Sequence, residues 1–482
     1  MAAYFALAGN QLFMQPVTGL ADNGDFPKVL APYNICDPNQ EFGVTKYVRA
    51  RYIIDARCHW DSPLTSSEKL FVQLIRAVTD WSGRASFSIT AAGKAHLAVM
   101  LASLAVLLWA LHASQAIFRF LIPPLAILVF SDVMYVSYLN SFYMDAASMV
   151  FLLMTAALAV AALLRPHIWA AIAFGVFGVL LALSKTQHVC TSLLFGGFAG
   201  WLAVRAFRGA HRGPAACWSA SAAAILAGAI VTLAAAPRDY KAEPFYSVTF
   251  YNLLPASGNP AGALAELGLP AADLPLAGTH AYSPDSPVTQ PAWRADFVGR
   301  IGYRQILSYY FRHPWTAIQV VSRGLTYYAA AMRPGELANY RREDGFPPST
   351  LSQRFAWWSH WRAWFIWVLP AHVVIFWCVV GVGAVLCLAK RKWADRWPLY
   401  PLVLVLGLSG VLEFLFAVLL DATETARHLF FFHVLTELLV LSAFAALLGL
   451  IKFHKRKGLL SRLWGTAGLP CEAWKNLPPV DD

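Results

Sequence analysis

The chain has 482 residues, of which 58% are hydrophobic and 13% charged, and its mean hydropathy is +0.51. Soluble domains carry roughly a quarter of charged residues, so a water-soluble fold that hides this much apolar surface is excluded. The net charge of +11 does not mark a nucleic-acid binder, because Lys and Arg fall in short clusters between long apolar runs and form no continuous stripe.

A membrane-crossing helix takes about 20 mostly apolar residues, since hydrocarbon cannot satisfy free backbone groups. Residues 1–16 (MAAYFALAGNQLFMQP) are apolar but short and lack a basic flank, and read as a partial first transmembrane helix. A signal peptide is the rival, without a charged n-region or a small-residue cleavage site to support it. Residues 17–91 are too polar to span and too long for a turn, and form a first external loop. Cys36 and Cys58 share it, where a disulfide is permitted. Residues 92–236 are a transmembrane bundle, with spans near 92–112, 118–137, 145–164, 168–186, 189–207 and 217–236. Residues 237–362 form a second external loop domain, containing the amphipathic stretch YRQILSYYFRHPWTAIQVVSRG and ending in FAWWSHWRAWFIW. Its Trp357, Trp358, Trp361, Trp364 and Trp367 read as an interfacial aromatic belt. C-terminal transmembrane helices occupy 363–452, near 363–389, 398–420 and 428–452, and 453–482 is a basic cytoplasmic tail. The expected fold is an all-α polytopic membrane protein, a bundle of about ten transmembrane helices with two external loop domains.

With the chain start placed in the cytoplasm, the distribution of Lys and Arg tests the alternation of loops. The cytoplasmic connections then carry Arg119; Arg165; Arg205, Arg208 and Arg212; Lys390, Arg391, Lys392 and Arg396; and Lys452, Lys455, Arg456 and Lys457. The two long external segments lie on the opposite side. The seven cysteines show no CxxC or Cys/His metal spacing and are given no catalytic role.

Ionisable residues at membrane depth are costly, and here they share the external side. GLADNGDFPKV brings Asp22 and Asp25 onto a Gly-containing turn. Asp132 lies near the external end of its helix, and Tyr143 and Asp145 open the next. LLALSKTQH delivers Lys185, Gln187 and His188, and LLDATETARHLFFFH delivers Asp421, Glu424, Arg427 and His428. Cations at external helix ends run against the positive-inside tendency and suit an anionic partner, such as a polyprenyl phosphate with its phosphate at the interface. Taken singly, Asp22 is an ordinary turn residue, Lys185 a snorkelling one, and Arg427 a structural partner of Glu424 or Asp421.

DNGDFPKV, NSFYMDAAS, ALSKTQ, FYNLLPASGNPAGALAELGLP, YYFRHPW and ARHLFFF, in that order from about Pro16 to Leu450, resemble WsfD-like bacterial glycan hexose transferases, membrane enzymes of the GT-C glycosyltransferase fold. The resemblance implies transfer of a hexose from a polyprenyl-phosphate-linked donor to a glycan or lipid-linked acceptor on the external side of the bacterial inner membrane. GT-C enzymes commonly carry an acidic residue in the first external loop, often in an Asp-Glu pair. This chain reads Asp22-Asn23 with the second carboxylate at Asp25, so either Asp is the candidate base.

On this reading Asp22 or Asp25 accepts the acceptor's hydroxyl proton, and transfer inverts the anomeric centre. Lys185 and Arg427, with His428, stabilise the departing phosphate, and Tyr143, Asp145, Gln187 and His188 complete substrate binding. The partners are the donor, the acceptor and membrane lipids, with no nucleic acid. No cofactor is required. A divalent cation held by Asp22, Asp25 and phosphate oxygens is a second arrangement, disfavoured for want of a His-rich site. A flippase or transporter of lipid-linked glycans, a surface-polysaccharide polymerase or ligase, and a purely structural membrane protein are the alternatives; the flippase calls for polar residues midway through several helices.

Overall fold

The computed structural model describes residues 1–39, 45–62, 64–112, 114–236, 241–335, 337–389 and 397–457. The basic stretch at 390–396 and the tail from 458 lie outside the described residues. Among the described residues seven helices are long and apolar enough to cross a membrane: Thr90–Leu111, Met144–Leu164, Thr186–Arg208, Arg212–Ala234, Ala371–Ala389, Tyr400–Leu419 and Thr425–Leu448. The pair Ala116–Phe130 and Val133–Leu139 makes an eighth if taken as one span. The protein is therefore an all-α polytopic membrane protein, with fewer full-length spans among the described residues than the ten expected. Ile168–Ala182 has 15 residues, about 22 Å of helix against a hydrocarbon core of about 30 Å. Ala2–Phe13 is shorter still.

Two expected spans are broken. The one near 118–137 bends by 69° between Phe130 and Val133. Asp132 causes the break by capping the second half: one carboxylate oxygen accepts from the Met134 amide at 2.9 Å, the other from the Ser359 amide at 2.9 Å. The span near 363–389 divides into Trp357–Val368 and Ala371–Ala389. Pro370 disfavours helical geometry at Leu369, so the apolar run cannot continue as one rod.

Met144–Leu164 is the axis of the bundle. It is apolar all round and buried along nearly its whole length, packed on Thr90–Leu111 and Ile168–Ala182. Small residues let Arg212–Ala234 close on Ile168–Ala182: a Cβ at Gly178 would lie 2.5 Å from Ile225. Ser221 and Thr232 cross the same interface, each donating to a carbonyl, Ala171 and Ala182, at 2.8 Å.

The segment between the first helix and Thr90–Leu111 adds a small sheet that helical periodicity did not predict. Strands β1 (Ile35–Cys36), β2 (Arg51–Ile54) and β3 (Ser86–Ser88) pair antiparallel in that order, with Tyr52 opposite Phe87. A disulfide joins Cys36 to Cys58. Helix Glu68–Trp81 then covers the bundle with Phe71, Val72 and Ile75, while Leu70, Leu74, Val78 and Trp81 face outward. Helices Tyr303–Arg312 and Pro314–Arg323 of the second segment repeat this with outward Leu307, Phe311, Trp315 and Ile318. Such stripes suit the membrane interface.

Candidate functional site

The turn holding Asp22 hangs from Asn140. Asn140 Nδ2 donates to the carbonyls of Leu12 at 3.0 Å and Thr18 at 2.8 Å, and the Asn140 carbonyl accepts from the Leu20 amide at 3.3 Å. Asn339 clamps the other side by donating to the Gly19 carbonyl at 2.8 Å. Glycine is required at two points of this junction, since a Cβ would lie 2.7 Å from the Asn140 carbonyl oxygen at Gly19 and 2.1 Å from Asn140 Oδ1 at Gly93.

The chain then folds back over Asp22. Its Oδ1 accepts from the Gly24 amide at 2.8 Å and the Phe26 amide at 3.1 Å, closing a loop whose Gly24 takes φ +99°. The Asp25 amide also reaches this carboxylate. Burial pushes the Asp22 carboxyl up to about 6, against the pull of those amides. Asp25 lies three residues on in an opposite environment. Burial alone would raise it, but Arg427 and Lys28 outweigh burial and hold it well below the usual carboxylate range. Its oxygens are both taken, by Lys28 Nζ at 2.5 Å and Arg427 NH1 at 2.5 Å.

Arg427 is the hub. Its other terminal nitrogen meets Glu424 at 2.5 Å and His428 Nε2 at 3.2 Å, and the guanidinium lies 5.2 Å from the centre of the Tyr143 ring. Asn23 Nδ2 donates to both Glu424 oxygens at 2.8 Å. Tyr143 ties the turn to the bundle: its hydroxyl donates to the Ala21 carbonyl at 2.8 Å and accepts from the Asn23 amide at 3.0 Å. Asp421 pairs with His428. The turn presenting these groups takes left-handed backbone at two non-glycine residues, Ala422 (φ +68°) and Glu424 (φ +48°). Such positions cost on the order of 1–2 kcal/mol each and persist only where the surroundings enforce them.

Asp22, Asp25, Tyr143, Arg427 and His428 thus form one cluster. The other four candidates lie behind it. Lys185 donates to Asp145 at 2.9 Å and lies in the layer beneath the Arg427 cluster. Gln187 and His188 turn to Glu413, at 3.3 and 3.0 Å, and Thr191 donates to the same carboxylate at 2.8 Å. Their polar atoms serve a buried glutamate, in place of the substrate contact expected of them. Gln187 links the layers by donating to the His428 carbonyl at 3.0 Å.

The sequence reading missed Glu413, and likewise the buried pair Glu68–His96 at 3.1 Å and Glu437, held by Arg362 at 3.1 Å and Tyr135 at 3.2 Å. A lone Glu in an apolar run was the available signal. Lys28 was also missed, though it stands in the quoted DNGDFPKV. The divalent-ion arrangement does not fit these side chains, because both Asp25 oxygens already serve cations. Among the described residues no group of three His, Cys, Asp or Glu could hold a metal ion.

A family model described as the YfdI N-terminal transmembrane domain matches residues 3–461. The chain belongs to that family. No curated protein and no solved structure matches it. As a member of the YfdI N-terminal transmembrane domain family, with seven helices of spanning length, it is an integral membrane protein. Its clustered carboxylates and cations sit where several of those spans meet the two non-spanning segments.

Proposed function

We propose that the protein is a membrane glycosyltransferase that moves a hexose from a polyprenyl-phosphate donor to a glycan or lipid-linked acceptor, with inversion, at the external face of the bacterial inner membrane. The resemblance to WsfD-like hexose transferases names this chemistry. The observation that carries it is the split between two carboxylates on one turn: Asp22 is met by backbone amides and has a raised proton affinity, and Asp25 is spent on two cations.

Asp22 is the base. It takes the acceptor's hydroxyl proton as that oxygen attacks the anomeric carbon, and the bond to the polyprenyl phosphate breaks on the opposite face. Arg427 and Lys28 receive the leaving phosphate. The Asp25 carboxylate between them marks an anion position, which a phosphate oxygen occupies once the donor binds. Asn23 and Glu424 fix the guanidinium, and Lys185 with Asp145 forms the layer beneath. The flippase alternative draws on Glu413 and Glu437 within the spans, yet each is occupied by side-chain partners.

The test is transfer from a radiolabelled polyprenyl-phosphate hexose in proteoliposomes. Wild type is expected to label an acceptor glycan, and Asp22→Asn to lose at least about a hundredfold in rate. Full activity in Asp22→Asn removes the base assignment, and failure of wild type with every hexose donor removes the reading itself.

A further inference from the structure

A cleft of about 380 Å³ opens beside the Asp22 turn, lined by Gly24 and Pro27 on one side and by Arg57, Cys58, His59 and Trp60 on the other. That is within the size range of small-molecule sites. The second wall is a built structure. The disulfide ties Cys58 to β1, the Trp60 amide donates to the Ala31 carbonyl at 3.4 Å, and the capped turn at 56–58 is closed by Asp55 accepting from the Arg57 amide at 2.9 Å. Its polar side chains are held in position. Asp55 grips the Arg57 guanidinium at 2.6 Å, and His59 stands between Asn34 at 2.9 Å and Asp61 at 3.2 Å.

Trp60 is 50% exposed in this setting. Membrane-interface anchoring is the ordinary use of an exposed indole, and Trp81, 90% exposed, fits it because Leu70, Leu74 and Val78 share its stripe. Trp60 has no such company. Its sequence neighbours are His59 and Asp61, and the Asp61 side chain is almost wholly in water. An indole beside a guanidinium and an imidazole is the chemistry that binds a pyranose: the apolar ring face stacks, and the polar groups meet the hydroxyls.

We infer that this cleft binds the acceptor sugar, with Trp60 as the stacking platform. The inference rests on the glycosyl-transfer reading for the identity of its ligand as an acceptor, though sugar binding stands or falls separately. The placement suits it. Gly24 lines the cleft and donates its amide to Asp22 Oδ1, so the cleft wall is one hydrogen bond from the proposed base.

Two measurements on the full chain in lipid nanodiscs test this. Saturation-transfer NMR uses methyl α-D-glucopyranoside, methyl β-D-galactopyranoside and methyl α-L-rhamnopyranoside as probes. At least one is expected to receive saturation from wild type and from Asp22→Asn, to lose most of it with Trp60→Ala, and to keep it with Trp60→Phe and with Trp81→Ala. Acceptor KM in the transfer assay is expected to rise about tenfold in Trp60→Ala, with donor KM and kcat within twofold. The inference is overturned if no probe is saturated by wild type, or if Trp60→Ala matches Trp60→Phe in both measurements. If wild type binds a hexoside through Trp60 but transfers nothing, the transfer reading has failed and the sugar site remains.

Discussion

Asp22 and Asp25 are three residues apart and have the same side chain, so their difference is wholly environmental. Asp22 is desolvated and compensated only by amides, which leaves its proton affinity raised to about 6. Asp25 is compensated by two full charges and stays ionised far into acid. A general base works best when its proton affinity lies near working pH, which favours Asp22. The kcat/KM of wild type should therefore rise with pH through about 6 and level off above it. Asp25→Asn should keep that limb while raising donor KM, because the anion position between Lys28 and Arg427 is altered. An acid limb centred near 4 in wild type would sink the assignment.

The same shift has a consequence for stability that needs no turnover. The folded value of Asp22 lies above that of the unfolded chain, so burying its charge costs nothing below about pH 4, and the cost is complete above about pH 6. Asp22→Asn keeps an oxygen for the Gly24 and Phe26 amides and removes the charge. It should stabilise the protein by on the order of 2–3 kcal/mol at pH 7.5 and by nothing near pH 4, read as thermal midpoints at the two pH values. Asp25 has the opposite sign. Its stabilisation is present above the ordinary carboxylate value and is lost only as pH falls through its lowered folded value.

At the scale of elements, the spans were legible because hydropathy averages over some 20 residues, and single polar residues barely move such an average. That is why Glu413 went unseen inside YPLVLVLGLSGVLEFLFAVL, although it gathers Gln187, His188 and Thr191 across the bundle. The averaging also hid the Asp132 cap, a local event that turns one expected rod into two. The membership of the site was better legible, since residues that must leave hydrocarbon collect at helix ends. Their pairing was not, because Asp25 and Arg427 are 402 positions apart and no spacing rule connects them. Two substitutions test what the elements require. Glu413→Ala leaves His188 and Thr191 without their carboxylate partner and should lower stability by about 3 kcal/mol or more, measured by thermal unfolding in detergent. Gly93→Ala drives a methyl group toward Asn140 Oδ1 and displaces the strut that holds Thr18 and Leu12. It should lower activity more than tenfold with the helical circular dichroism unchanged, whereas Gly197→Ala, in open space, should be neutral.

At the scale of the molecule, charge is sorted by helix direction. Met144–Leu164 begins at Asp145 beside Lys185 and ends at Arg165; Val189–Arg208 begins beside His188 and ends with Arg205 and Arg208. Each helix therefore has its carboxylate-rich cluster at one end and its arginines at the other. At those far ends Arg165 lies 5.1 Å from the Trp109 ring and Arg205 5.6 Å from the Trp201 ring, an aromatic and cationic pairing suited to a lipid headgroup layer. On the proposed function, the positive-inside tendency predicts the arginine ends in the cytoplasm and the Asp22 cluster outside. Single cysteines read this directly, in a background with Cys190, Cys217, Cys378, Cys387 and Cys471 replaced and the Cys36–Cys58 bond kept. Asp61→Cys should react with a membrane-impermeant maleimide added outside intact spheroplasts, and Gly209→Cys only after lysis. The reverse pattern would put the candidate base on the cytoplasmic side, where a donor presented externally could not reach it, and both the orientation and the proposed reaction would fall together.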